Sequence, residues 1–188
     1  MDPMFSELYL VDQDRTLRFF ATSLDEVIEQ DVRGTSTARA PAPLPVSRDE
    51  FLYVSSILAH YALVEAGNPE YLPIPGTLRQ LHDLFVTDVE TWHDPELMET
   101  AAAQTLMLTG YFGGAMRTRH NLRTYVRWGR FFFGRAASRT AGRKQVVLEG
   151  MSAHFPAWRR RLERLHGQLW ENRLLLAQGS PSPPPTVQ

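Results

Sequence analysis

Cysteine is absent from the 188 residues of this chain, and Lys144 is the single lysine beside 19 arginines. The missing thiols exclude a disulfide framework, a thiolate metal site and a cysteine nucleophile. No run of 18 or more uncharged apolar residues occurs, so we expect no contact with a membrane. The first residues lack the positive flank and apolar run of an export signal, which predicts a cytoplasmic protein. The arginine bias is typical of a GC-rich bacterial genome.

Charge is nearly balanced in total, with a formal net charge of −1, but it is divided unevenly along the chain. Residues 1–114 carry 18 acidic and 6 basic side chains, whereas residues 115–188 carry 14 basic and 3 acidic ones. Two interpretations stay open. The basic half binds an anionic partner such as nucleic acid, or it packs beside the acidic half and is neutralised internally.

Helix-start signals predict an all-α fold. Residues 23–26, 47–50 and 77–80 each place Ser or Thr three residues before Glu or Gln, the pattern of a capping box. Asp94 before Pro95, and Pro156 after Phe155, indicate two further starts. Apolar residues recur at helical spacing within residues 48–65, 78–92, 96–112, 121–137 and 158–169. We therefore predict a compact bundle of five to seven helices.

Three segments depart from this helical pattern. Residues 8–20 contain two apolar runs around a polar Asp-Gln-Asp, which fits a short N-terminal hairpin as an alternative to helix. Residues 34–46, with prolines at alternate positions, predict an extended connector. Residues 179–188 are rich in proline and serine and predict a disordered tail. Residues 1–178 as a whole, including the connector, are expected to form a single helical domain.

A stripe of arginines is the strongest candidate for a binding surface. Four of them fall within roughly 80° on a helix of 100° per residue: Arg119, Arg123, Arg127 and Arg130. They face away from an expected buried side with Tyr125, Trp128 and Phe132. The basic residues that follow are Arg135, Arg139, Arg143 and Lys144.

With Phe131 nearby, these residues suit a phosphate backbone and a stacked base. The alternative is a solvated face paired with carboxylates of the N-terminal half. In that case the stripe arginines should lie within about 4 Å of such carboxylates.

Two Glu-x-x-His spacings occur, Glu90 with His93 and Glu163 with His166. Helical di-iron carboxylate proteins use this pairing inside their bundles. Glu163 and His166, however, project about 80° to 140° away from the apolar stripe of their helix. We therefore assign no metal ligand, no other cofactor and no catalytic residue, and these four side chains stay weak metal candidates.

Two resemblances are carried by residues 78–170. The first is to a set of uncharacterised bacterial helical proteins with a Gly-aromatic-Phe element, a later Tyr-Tyr pair before a glycine, and a Phe-Pro. Here these elements are residues 110–112, Tyr125 with Val126 before Gly129, and residues 155–156. This resemblance implies a helical fold and a bacterial origin, and it implies no activity.

The second resemblance is to the helical cell-death regulators. Residues 127–130 are similar to their Asn-Trp-Gly-Arg element, and residues 78–83 are similar to their leucine-to-aspartate helix motif. Arg127 and His82 depart from that pattern at defining positions, where the family has a capping asparagine and a small residue.

From these observations we predict a non-enzymatic regulatory or adaptor protein that binds a protein partner or a second copy of itself. The alternative is a nucleic-acid-binding protein that uses the basic C-terminal half. A metal-dependent helical-bundle enzyme, using the Glu-x-x-His pairs, is the third.

Overall fold

The computed structural model of the chain describes residues 13–35, 46–67, 93–116 and 122–178. These residues form a single helical turn, Gly113–Met116, and five longer helices: α1 (Gln13–Thr35), α2 (Arg48–Gly67), α3 (Pro95–Thr109), α4 (Leu122–Ala137) and α5 (Gly142–Gln178). Within these ranges no strand occurs, and the predicted all-α class is confirmed. None of the described helices is both long enough and apolar enough to cross a bilayer.

The hairpin considered for residues 8–20 is wrong from residue 13 onward, because α1 begins there. Its buried side chains follow helical spacing over about three turns: Thr16, Phe20, Leu24 and Val27. This stripe also places the predicted start at residues 23–26 inside α1. Residues 8–12 lie outside the described residues.

Two predicted helix starts are confirmed by their capping contacts. Before α2, the Ser47 hydroxyl oxygen accepts a hydrogen bond from the Asp49 amide at 3.3 Å. Before α3, one Asp94 carboxylate oxygen accepts from the amides of Glu96 and Leu97 at 2.9 and 3.1 Å. Both contacts satisfy amides that have no partner within the helix. The predicted start at residues 77–80 lies outside the described residues.

The Pro-rich connector predicted for residues 34–46 is shorter than expected at its N-terminal side. Gly34 and Thr35 still belong to α1. At the other side, Val46 is partly buried and packs on the core. Residues 36–45 and 179–188, the latter predicted to be a tail, lie outside the described residues.

The helix start predicted at Pro156 is wrong, because Pro156 lies in the interior of α5. A proline there removes the amide that normally bonds to the carbonyl four residues earlier. That carbonyl belongs to Ser152, and it accepts a hydrogen bond from Nε of Arg130 on α4 at 3.1 Å. The missing donor is thus replaced from the neighbouring helix, and α5 continues through the proline.

Helix α5 contacts each of the other four long helices and organises the core. Its Trp158, Leu162 and Leu165 are buried, as the apolar pattern predicts, and Phe155 is buried as well. The expected buried side of α4 is confirmed only in part: Phe132 is buried, whereas Tyr125 and Trp128 are partly exposed at the edge of the core.

Gly129 of α4 lies tightly against the ring of Phe155 on α5. A Cβ atom at Gly129 would overlap two ring atoms of Phe155 and lie 3.1 Å from a third. Gly134, one turn further along the same helix, has more room, since a Cβ there would meet only the Ser152 hydroxyl at 3.4 Å. The two glycines therefore form a matched pair for testing this contact.

We expect Gly129→Ala to lower the free energy of unfolding by about 1–3 kcal/mol, because the added methyl displaces the buried Phe155 ring. Gly134→Ala should raise it by up to about 1 kcal/mol, since alanine favours helix over glycine. Urea denaturation followed by circular dichroism measures both. Equal effects of the two substitutions would contradict the close contact at Gly129.

Candidate functional site

The basic residues around the α4–α5 junction are largely bound to groups of the N-terminal half. Arg143 forms an ion pair with Asp49 of α2, and Lys144 forms one with Glu99 of α3 at 2.6 Å. The pKa of Asp49 is lowered because Arg143 donates a hydrogen bond to its carboxylate. The predicted internal neutralisation is found for these two cations.

Further along α5, two arginines that sequence analysis did not single out share one carboxylate. Nε of Arg161 lies 3.2 Å from Asp31 of α1, and Arg164 contacts the other oxygen of the same carboxylate. Arg161 is buried, and its guanidinium lies 5.0 Å from the centre of the Trp158 ring. This arrangement joins α1 to α5 and neutralises part of the acidic half.

Three other arginines converge on an open groove between α4 and α5, which we call the arginine groove. It encloses about 430 Å³ and is lined by Arg127, Arg130, Phe131, Gly134, Arg135 and Ser152. Arg127 and Arg130 are exposed, and Arg135 is partly buried. Among the residues that the structure describes, none of the three forms an ion pair with a carboxylate. The pairing expected for the stripe is therefore not found for Arg127 and Arg130.

Arg135 has an unusual environment within this groove. Its Nε atom is buried and has no hydrogen-bond partner in the described part of the chain. A buried donor without an acceptor costs about 1–3 kcal/mol, and more when the group is charged.

Arg130 and Ser152 hold the two walls of the groove together. Besides the bond from Arg130 Nε to the Ser152 carbonyl, the Ser152 hydroxyl donates to the Arg130 carbonyl at 2.8 Å. This reciprocal pair fixes α4 against α5 at the groove. It engages Nε of Arg130, and the terminal guanidinium nitrogens remain as donors for another acceptor.

The remaining predicted basic residues are placed as follows. Arg123 is exposed and lies one turn before Arg127 on the same face of α4. Arg139 lies in the loop after α4, and its guanidinium is 2.6 Å from Nδ1 of His93. A guanidinium only donates, so Nδ1 of His93 accepts. Arg119 lies outside the described residues.

The metal candidates are not brought together by the described structure. His93 bonds to Arg139 as above, and Glu163 forms an ion pair with Arg159 at 3.4 Å. The His166 ring stacks on Trp170 with an angle of 15° between the ring planes. In the ranges that the structure describes, no three potential ligands lie close enough to hold a metal ion. Glu90 lies outside these ranges.

Two other hollows are weaker candidates. A groove of about 510 Å³ between α1 and α5 contains Arg15 and Arg18, but Glu26 also lines it and offsets part of their charge. A recess of about 250 Å³ between α2 and α3 contains Tyr53 and Glu99. There the Tyr53 hydroxyl donates to Glu99 at 2.9 Å, so this carboxylate already binds both Tyr53 and Lys144.

The tyrosines of that recess stay protonated near neutral pH. Burial raises the pKa of Tyr53 far above its ordinary value, and the neighbouring Glu99 raises it further. Burial likewise raises the pKa of Tyr61. A protonated phenol donates a hydrogen bond and does not serve as a general base, so the recess is poorly suited to proton abstraction.

Sequence analysis missed a buried polar cluster that joins α2 to α5. Glu50 is 5% exposed, and its carboxylate accepts a hydrogen bond from the Trp158 indole at 2.8 Å. Nδ1 of His154 lies 3.0 and 3.2 Å from the two carboxylate oxygens. Gly150 makes room for the carboxylate, because a Cβ there would lie 2.5 Å from it. Glu50 is in the first turn of α2, where a negative charge is stabilised.

Comparison with known proteins finds no match to this chain, either among protein-family models, among curated proteins or among solved structures. Both resemblances therefore stay predictions from the sequence. The function has to be argued from the chemistry of the chain itself, and the arginine groove is the part with the clearest chemical preference.

The buried cluster gives a stability prediction. Glu50→Ala should lower the free energy of unfolding by about 1–3 kcal/mol, because it leaves the Trp158 indole without an acceptor inside the core. Glu50→Gln keeps an acceptor oxygen and should cost less. Urea denaturation measures both.

The neighbouring exposed carboxylate supplies the control for this experiment. Asp49→Ala removes the ion pair with Arg143 at the surface and should leave the urea midpoint nearly unchanged, because exposed pairs contribute little. Similar midpoint shifts for Asp49→Ala and Glu50→Ala would contradict the assignment of Glu50 to the core.

Proposed function

We propose that this protein is a non-enzymatic regulatory or adaptor protein that binds a phosphate-bearing partner in the arginine groove. One observation carries the proposal: three arginines line one open groove, and none is ion-paired with a described carboxylate. Other basic side chains of the same half, such as Arg143 and Arg161, are ion-paired.

The chemistry of the lining residues supports this role. A guanidinium carries its charge at every physiological pH and presents several donors in a plane that matches a phosphate or carboxylate. Three such positive groups close together repel one another. An anion bound between them is attracted to each and offsets that repulsion. The hydroxyl of Ser152, the other polar side chain of the groove, already donates to Arg130. The groove is therefore rich in donors and suits binding better than proton transfer.

The low net charge of the chain favours recognition through short-range contacts in the groove. The net charge of the whole chain is −1, so the protein has little long-range attraction for an anion. Attraction must come from contacts within the groove, and salt should weaken it. The cytoplasmic location expected from the sequence is compatible with such a partner and stays a prediction.

The proposal is tested by titrating the protein with a short inorganic polyphosphate in isothermal calorimetry at low salt. Arg127→Gln should weaken binding about tenfold, since it removes one charged hydrogen-bond donor. Arg127 is the suitable position because it is exposed and its side chain makes no described ion pair, so the fold should be unaffected.

The matched control is Arg160→Gln, which removes the same charge from an exposed position of α5 outside the groove. It should leave the affinity for polyphosphate nearly unchanged. An equal loss of affinity in both variants would show that polyphosphate is attracted to basic charge anywhere on the surface. That result would overturn the proposal. Absence of binding at low salt would do the same.

A further inference from the structure

We infer that the partner in the arginine groove is a single strand of nucleic acid, whose phosphates contact the arginines while one base stacks on Phe131. This inference rests on the proposed function and names the class of its ligand. The juxtaposition that carries it is an exposed aromatic ring among arginines in one groove.

Phe131 is 41% exposed, while the next two residues, Phe132 and Phe133, are buried in the core. Successive helical residues point about 100° apart, so one phenylalanine of the three is directed away from the core. The Phe131 ring makes an edge contact with the Phe132 ring, but part of its apolar surface stays in water and contributes no burial energy. In the groove it offers the apolar surface on which a base can stack, and stacking accepts any base because each has a π-face.

Two arginines of the arginine groove and Arg123, one turn before them on α4, form a row. Such a row suits a chain of phosphates better than a single phosphate. Arg123, Arg127 and Arg130 fall within about 60° on α4 and span about 10 Å along its axis. Successive phosphates of one stacked strand are about 3.4 Å apart along the axis. The row therefore reaches more than one phosphate at a time.

The same geometry favours a single strand over a duplex. In a double helix the faces of the bases are covered by their neighbours, and an aromatic side chain reaches them only after unstacking. The arginine groove is open, and Phe131 lies in its lining beside Arg130. A single strand can place a base on the ring without that cost.

The experiment compares a thymidine dodecamer with a dodecamer of abasic sites, which has the same phosphates and no bases. Fluorescence anisotropy of labelled strands gives the dissociation constants across a salt series. We expect the thymidine strand to bind about tenfold more tightly than the abasic strand. For both strands, Arg127→Gln should lower the slope of log affinity against log salt by about 0.7.

Phe131 supplies the variant that isolates stacking. Phe131→Ala should weaken binding of the thymidine strand about tenfold and leave binding of the abasic strand unchanged. Phe131→Trp keeps an aromatic face and should bind as the natural protein does. Trp170→Ala is the control, since Trp170 is also exposed but lies 18 residues beyond Ser152 on α5, about 27 Å away.

The outcomes separate this inference from the proposed function. If both strands and polyphosphate bind equally and only Arg127→Gln weakens them, the groove binds phosphates and the inference about bases is wrong. If a duplex binds more tightly than the single strand, the inference is also wrong. If no strand binds while polyphosphate still binds in a way that depends on Arg127, the inference is wrong and the proposed function stands. If neither a strand nor polyphosphate binds in a way that depends on Arg127, both are wrong.

Discussion

The carbonyl of Ser152 lacks its helical donor, because Pro156 carries no amide hydrogen, and Arg130 supplies a donor from the neighbouring helix. Together with the bond from the Ser152 hydroxyl to the Arg130 carbonyl, this hydrogen bond holds α4 against α5. It stands beside the tight contact of Gly129 with Phe155, which brings the two backbones close enough for it to form. Arg130 and Ser152, which form this bond, also line the arginine groove. The missing helical hydrogen bond at Pro156 is thus compensated by a residue of the groove.

The basic side chains of α4 and α5 fall into two groups, one ion-paired and one lining the arginine groove. The arginines nearest the acidic helices are bound to carboxylates of α1 and α2, as with Arg161 and Arg143. Those of α4 that line the groove face no described carboxylate. Internal neutralisation therefore describes part of the basic half. Binding of an anionic partner by the remaining cations stays a prediction. The net charge of the chain conceals this division.

Local signals in the sequence predict local structure well here. Ser47 and Asp94 start helices because their side chains reach amides two or three residues away, and such contacts depend on nothing else in the fold. The helix starts predicted at Pro156 and Ser23 are wrong for the opposite reason, because contacts elsewhere in the fold decide where these helices begin. Whether a proline starts a helix or lies within one depends on Arg130, which is 26 residues away in sequence.

The candidate site follows the same rule. Helical spacing predicts that Arg127 and Arg130 share a face, since that is a property of one helix. It does not predict that Ser152 forms the opposite wall, or that Glu50 is buried against Trp158. Glu50 looks like the last residue of a capping box, a surface role, and its burial follows from the space left by Gly150 on another helix.

The position of α5 at the end of the described chain has a consequence for folding. Asp31 and Arg161 are 130 residues apart in sequence, and Glu50 and Trp158 are 108 apart. Helical bundles usually fold fast because their contacts are local, and contacts of such separation slow the search. A ribosome that adds about 5–20 residues per second makes Asp31 some 7 to 26 seconds before Arg161. During that interval the apolar surfaces of α1 and α2 that α5 will cover are open to chaperones and to other nascent chains.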